Sequence, residues 1–192
     1  DGYIYTRIGN PTIRALEENI ALLENGCGGI ATGSGMGAVS TIYLSLLSQG
    51  DHMVSTDSVY GPSRTLAQQH LSRFGITSSF VDTSDVRNVE RAMRPETRIV
   101  YIETPSNPTM QVTDLEAMAK IAHAHGALLV VDNTFASPYL QKPLNLGADI
   151  SFHSITKFIN GHGDLVGGII VSKDPTIHRK IRSMMVSLGC CM

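Results

Sequence analysis

The chain has 192 residues, 42% of them hydrophobic and 17% charged, with a formal charge of -2. A chain of that length can bury a substantial core in one domain without disulfides, and so small a net charge excludes an electrostatic case for binding nucleic acid or an acidic membrane surface. Its cysteines, Cys27, Cys190 and Cys191, are odd in number and two are adjacent, which is not a secreted disulfide framework and points to a reducing, cytoplasmic setting.

The opening residues "DGYIYTRIGNPT" read as mid-domain sequence, and the closing "SLGCCM" has no terminating logic, so residues 1–192 are expected to be a fragment of a longer protein. Between these ends, apolar runs of strand length alternate with segments of helical period. The first strand is expected at "GGIAT" (28–32), followed by the glycine-rich "GSGMGA" that opens a helix, and the second at "HMVST" (52–56). Next come "ITSSFVD" (76–82) and "RIVYIET" (98–104). The clearest helix lies in "DLEAMAKIAHAHG", where Leu115, Met118, Ala119 and Ala122 fall at i, i+3, i+4 and i+7. Thr113-Asp114 marks its start and Gly126 its stop. Strands "ALLVVDN" (127–133), "DISFHS" (149–154) and "LVGGIIVS" (165–172) complete the series. No apolar run reaches the ~18 to 20 residues that a membrane helix requires. Near-continuous apolar strands such as "RIVYI" and "ALLVV" suit a sheet covered on both faces. The expected fold is therefore α/β, three layers with a mostly parallel central sheet.

In such folds ligands gather at the carboxyl ends of the strands. Reading off the polar residues there gives Ser34 and Gly35, Asp57 and Tyr60, Glu103 and Asn107, Asp132 and Asn133, then Ser154, Thr156 and Lys157. Two cofactors compete for this rim. Gly33-x-Gly35-x-x-Ala38 fits the dinucleotide fingerprint, and Asp57 at the end of the next strand could serve the ribose of NAD. Pyridoxal phosphate needs a lysine as covalent anchor, a carboxylate that keeps the pyridine nitrogen protonated, and a cup for the phosphate. Lys157 and Asp132 supply the first two. Gly35 and Met36 would present amides to the phosphate, Ser154 and Thr156 hydroxyls, and Tyr60 a face for stacking. NAD gives no reason for Lys157 or Asp132. Taken singly, a strand-end Asp is by default a cap and Tyr60 before Gly61-Pro62 a turn aromatic. Their coincidence on successive strand ends favours the joint reading. His153, His162 and Asp164 lack metal-ligand spacing, and no metal is expected.

The blocks "YIYTRIGNPT", "SGMGA", "VYG", "ETPSNPT", "VVDNTFASPYLQKPLNLGAD" and "HSITKFINGHGD" cover essentially the whole chain. In that order and spacing they resemble the Cys/Met-metabolism group of fold-type I pyridoxal phosphate enzymes, its methionine γ-lyase branch in particular. The resemblance implies that 1–192 is the large, cofactor-binding domain and that a C-terminal domain carrying the arginine for the substrate carboxylate lies beyond it. It implies pyridoxal 5'-phosphate held by Lys157, Asp132, Tyr60, Gly35, Met36, Ser154 and Thr156, with Tyr5 and Arg7 reaching the phosphate from a neighbouring subunit of a homotetramer. It also implies α,γ-elimination on a sulfur amino acid, methionine giving methanethiol, 2-oxobutanoate and ammonia, with Lys157, Tyr60 and Asp132 at the chemistry. Pro62, after "VYG", departs from the cysteine usual in methionine γ-lyases and resembles some cystathionine lyases. Cystathionine γ-lyase, cystathionine γ-synthase and O-acylhomoserine sulfhydrylase are the alternatives within the group.

Overall fold

The computed structural model of the chain describes residues 2–192. The helices begin and end where local chemistry lets them. In α1 (Pro11–Glu24) the Asn10 side chain accepts from the amides of Thr12 and Ile13, and proline stands at the first position, where its missing N–H costs nothing. Asn25 ends the helix in the left-handed region at φ 59°. Ser34 caps α2 (Gly35–Leu46) through Gly37 N, Asp114 caps α5 (Leu115–Ala124) through Ala117 N, and Asp174 caps α7 (Pro175–Leu188). Between β2 and β3, α3 (Gly61–Thr65) runs into a π turn at Leu66–His70 and a 3-10 turn at Leu71–Phe74. The short α4 (Val86–Ala92) and α6 (Ser137–Leu140) complete the set.

The strands β1 (Gly28–Thr32), β2 (His52–Thr56), β3 (Thr77–Val81), β4 (Thr97–Glu103), β5 (Leu128–Asp132), β6 (Ile150–His153) and β7 (Gly168–Ser172) form one sheet in the order β1-β7-β6-β5-β4-β2-β3. Every expected strand is present within a residue or three of its expected ends. Pairing is parallel from β3 through β6, and β7 alone runs against its neighbours β6 and β1.

Alternation along each strand feeds two cores. In β4, Ile99 and Tyr101 join one, while Val100 and Ile102 join the other, all fully buried. The first core packs beneath α2, α7 and the helical segment that follows Tyr60; the second packs beneath α1, α4 and α5. At the β1 edge of the sheet, Glu17 accepts from Ala31 N at 2.8 Å while its ion-pair partner Arg182 donates to Gly29 O at 2.8 Å. This pair satisfies backbone groups that an edge strand would otherwise leave open to another chain.

The topology overturns the dinucleotide alternative. The glycine turn follows β1 and Asp57 follows β2, and β7, β6, β5 and β4 lie between those strands. Ribose contact in that fingerprint requires neighbouring strands, so Asp57 cannot share a ligand with Gly33 in that manner.

Candidate active site

A cavity of about 250 Å³ opens at the carboxyl ends of the strands, and Gly35, Met36, Tyr60, Asp132, Ser154, Thr156 and Lys157 all line it. Chain reversal after β1, β2, β5 and β6 brings these residues together from points more than a hundred residues apart. Asp57 is not among the lining residues, and its backbone instead bonds Val81 and Arg64.

Asp132 ends β5 and is 8% exposed. Its Oδ1 accepts from Thr134 N at 3.0 Å, and no cation among the described residues pairs with it. Burial, then the nearby Glu103 carboxylate, push its pKa up to about 7, against the smaller opposing pull of Thr134. A carboxylate so placed gains most from a cationic N–H donor entering the cavity. Thr134 also ties the neighbouring strand end to this group, since its Oγ1 accepts from Ser154 N at 2.9 Å.

The glycine turn is built for close approach. A Cβ on Gly35 would stand 2.8 Å from Ser154 Cβ and 2.9 Å from its Oγ, so any larger residue would displace the Ser154 wall. As the first residues of α2, Gly35 and Met36 present amides that have no intrahelical acceptor, at the positive end of the helix. Those amides and the Ser154 hydroxyl form a cup suited to an anion. Thr156 lines the same cavity, but its hydroxyl donates to Gly167 O at 3.2 Å and accepts from Gly167 N at 3.1 Å, tying down the far end of the loop that carries Lys157. Lys157 lies in the turn after β6, exposed, and its Nζ has neither an ion-pair nor a hydrogen-bond partner among the described residues. The cavity thus has an unpaired amine, an unpaired buried carboxylate and an anion cup. Those groups fit the anchor, ring nitrogen and phosphate of pyridoxal phosphate.

Tyr60 is 47% exposed at the start of α3 and lines the cavity. Pro62 is exposed in the first turn of that helix. Tyr5 and Arg7 are not brought to the cavity. Arg7 lies over the Tyr5 ring, donates to Val186 O at 2.9 Å and lines a separate groove of about 750 Å³ between the N-terminal segment, α1 and α7.

Asn133, expected on the rim, also faces elsewhere. Asn133 follows Asp132 and so points to the opposite side, where it is fully buried and donates to Glu24 and Gln141 O. His153, also fully buried, bonds the same Glu24. Sequence reading missed Ser63, Thr134 and Phe135 as lining residues. For Thr134 and Phe135, adjacency to Asp132 was the available signal; nothing in the sequence marks Ser63.

Fold and cavity together define an α/β protein whose strand-end cavity carries groups that fit a ring-bearing, phosphorylated cofactor. The chain belongs to the family of Cys/Met metabolism PLP-dependent enzymes, whose pattern it matches over residues 1–192. It is 53% identical over 172 residues to an L-methionine gamma-lyase of Fusobacterium nucleatum subsp. polymorphum, covering 89% of this chain and 44% of that protein. It is 48% identical over 188 residues to a cystathionine gamma-lyase of Bacillus subtilis, covering 98% of this chain and 49% of that one. A crystal structure of cystathionine gamma-lyase from Lactobacillus plantarum complexed with L-serine superposes with a TM-score of 0.97 at 45% identity, over 100% of this chain and 50% of that one. The chain therefore spans about half the length of the relatives it matches.

Proposed function

We propose that the protein to which this chain belongs is a pyridoxal phosphate-dependent carbon-sulfur lyase that performs α,γ-elimination on a sulfur amino acid, methionine foremost. One observation carries the reading: an unpaired Lys157 and an unpaired, buried Asp132 face one cavity whose floor is an anion cup. Identity to L-methionine gamma-lyases supports the substrate class. Pro62 and the identity to a cystathionine gamma-lyase favour cystathionine as the second substrate to consider.

When bound, pyridoxal phosphate supplies an electron sink for charge developing on the amino acid's carbons. Lys157 is the covalent anchor. With the cofactor bound, the Lys157 amine, once displaced by a substrate amine, would be the base that takes the Cα proton and then a Cβ proton, whose loss lets the thiolate leave from Cγ. Asp132 would keep a proton on the ring nitrogen. Tyr60 would offer its ring for stacking and its hydroxyl as the proton donor to the departing thiolate. Gly35 and Met36 amides with the Ser154 and Thr156 hydroxyls orient the phosphate. Thr156 can do so only by turning its hydroxyl from Gly167.

Tyr5 and Arg7 lie outside this cavity; that the same residues of a second copy complete the site, in a homotetramer built from dimers, is part of the proposal and rests on the family to which the chain belongs. The described helices include none long and apolar enough to cross a membrane; a cytoplasmic location belongs to this proposal and is supported by the odd, partly adjacent cysteine pattern of the sequence. Borohydride treatment of the purified full-length protein with pyridoxal phosphate, followed by peptide mapping, tests the reading. Reduced cofactor on Lys157 is expected. No reducible adduct in the intact oligomer would refute it.

A further inference from the structure

Glu103 is the last residue of β4, 4% exposed, and stands in register with Asp132 on β5. Its two carboxylate oxygens do different work. Oε2 accepts from Tyr60 N at 2.7 Å and Oε1 from Asn107 N at 2.9 Å. Tyr60 leaves β2 on one side, Asn107 belongs to the loop after β4, and both residues line the cavity. No side chain caps the start of α3, so the bond to Glu103 is what fixes Tyr60 there from its own backbone amide. A lone strand-end glutamate needs no such arrangement for folding. Two buried carboxylates on adjacent strand ends repel one another, and the two amide bonds that Glu103 accepts offset that cost.

We propose that Glu103 is a positioning residue that holds Tyr60 and the Asn107 loop at fixed places against the cofactor ring. A charged acceptor is needed because both amides come from separate loops, and a carboxylate is the one side-chain group that accepts from two donors through two equivalent oxygens. Glutamine at this position has a single acceptor oxygen, and its NH2 would face the other amide hydrogen. The proposal rests on the pyridoxal phosphate reading only for the identity of what is positioned; the clamp itself is a property of the chain.

The test uses the full-length protein and Glu103→Gln, with Glu103→Asp as the milder variant should the first not fold. Amide hydrogen exchange on cofactor-free protein is measured first. Loss of a charge-assisted bond should speed exchange in segments 58–63 and 104–110 by roughly tenfold to a hundredfold, while β5 and β6 are unchanged. In the loaded enzyme, the visible circular dichroism of the cofactor should weaken and kcat should fall more than KM rises, because the ring face and the proton donor are misplaced while substrate binding is kept. Unchanged exchange in either segment overturns the clamp. Faster exchange with an unaltered cofactor dichroism overturns the positioning role. If wild-type protein holds no pyridoxal phosphate, the proposed function fails, and the exchange result still decides whether Glu103 holds both loops.

Discussion

Replacing Asp132 by asparagine isolates the feature on which the cofactor reading leans hardest. Asparagine keeps the shape and leaves Oδ1 to accept from Thr134 N, so what is removed is a buried charge. In the cofactor-free chain the folded pKa of Asp132 is raised from 3.8 to about 7 by burial and by Glu103. A raised pKa means that the folded state binds the proton more tightly than the unfolded one. Stability linked to this group is therefore fully present below about pH 4 and is lost as pH rises toward 7. At 1.36 kcal/mol per unit the penalty is about 2 kcal/mol at pH 5 and about 4 kcal/mol at pH 8, with relaxation around the carboxylate reducing both. Asp132→Asn should accordingly stabilise the cofactor-free protein, and by about 2 to 3 kcal/mol more at pH 8 than at pH 5. For a domain of this size that is an extra rise in Tm of about 5 to 10 °C. Urea or thermal unfolding at the two pH values checks it. The same variant should bind pyridoxal phosphate more weakly and turn over poorly, because its amide cannot hold a proton on the ring nitrogen. An equal stability change at both pH values would mean that Asp132 is not a strained, unpaired charge, and the case for a waiting cation site would fall.

Two further changes probe the cup and the substrate side. Gly35→Ala puts a methyl group within 2.9 Å of Ser154 and should cost about 1 to 3 kcal/mol of stability together with most of the cofactor affinity; pairing it with Ser154→Gly should restore stability but not affinity, and an alanine tolerated on both counts would show that the turn is not a tight cradle. Pro62→Cys, at an exposed position beside Tyr60, should shift the ratio of kcat/KM values toward methionine over cystathionine in the full-length enzyme, and an unaltered ratio would make Pro62 a helix-start residue without a part in selectivity.

The strands, the capped helix at Leu115–Ala124 and the three-layer class were legible in the sequence because their causes are local. Unbroken apolar runs such as "LLVVD" need cover on both faces, and Asp114 and Gly126 mark helix ends by side-chain and backbone chemistry within a few residues. Lys157, Asp132 and Gly35 could be singled out for the same kind of reason, as residue types at odds with an apolar strand end. Strand order was not local. Nothing between Gly28 and Asp57 states that β1 and β2 are separated by four strands, and that separation is what removes the dinucleotide alternative. Side-chain direction at strand ends was also decided by the sheet. Asp132 and Asn133 are neighbours in sequence, yet one faces the cavity and the other is buried against Glu24, because successive residues of extended chain point to opposite sides. The raised pKa of Asp132 and the double contact of Glu103 belong to the same class. They come from burial and from the parallel register that sets Glu103 beside Asp132, quantities that exist only once distant segments have packed together.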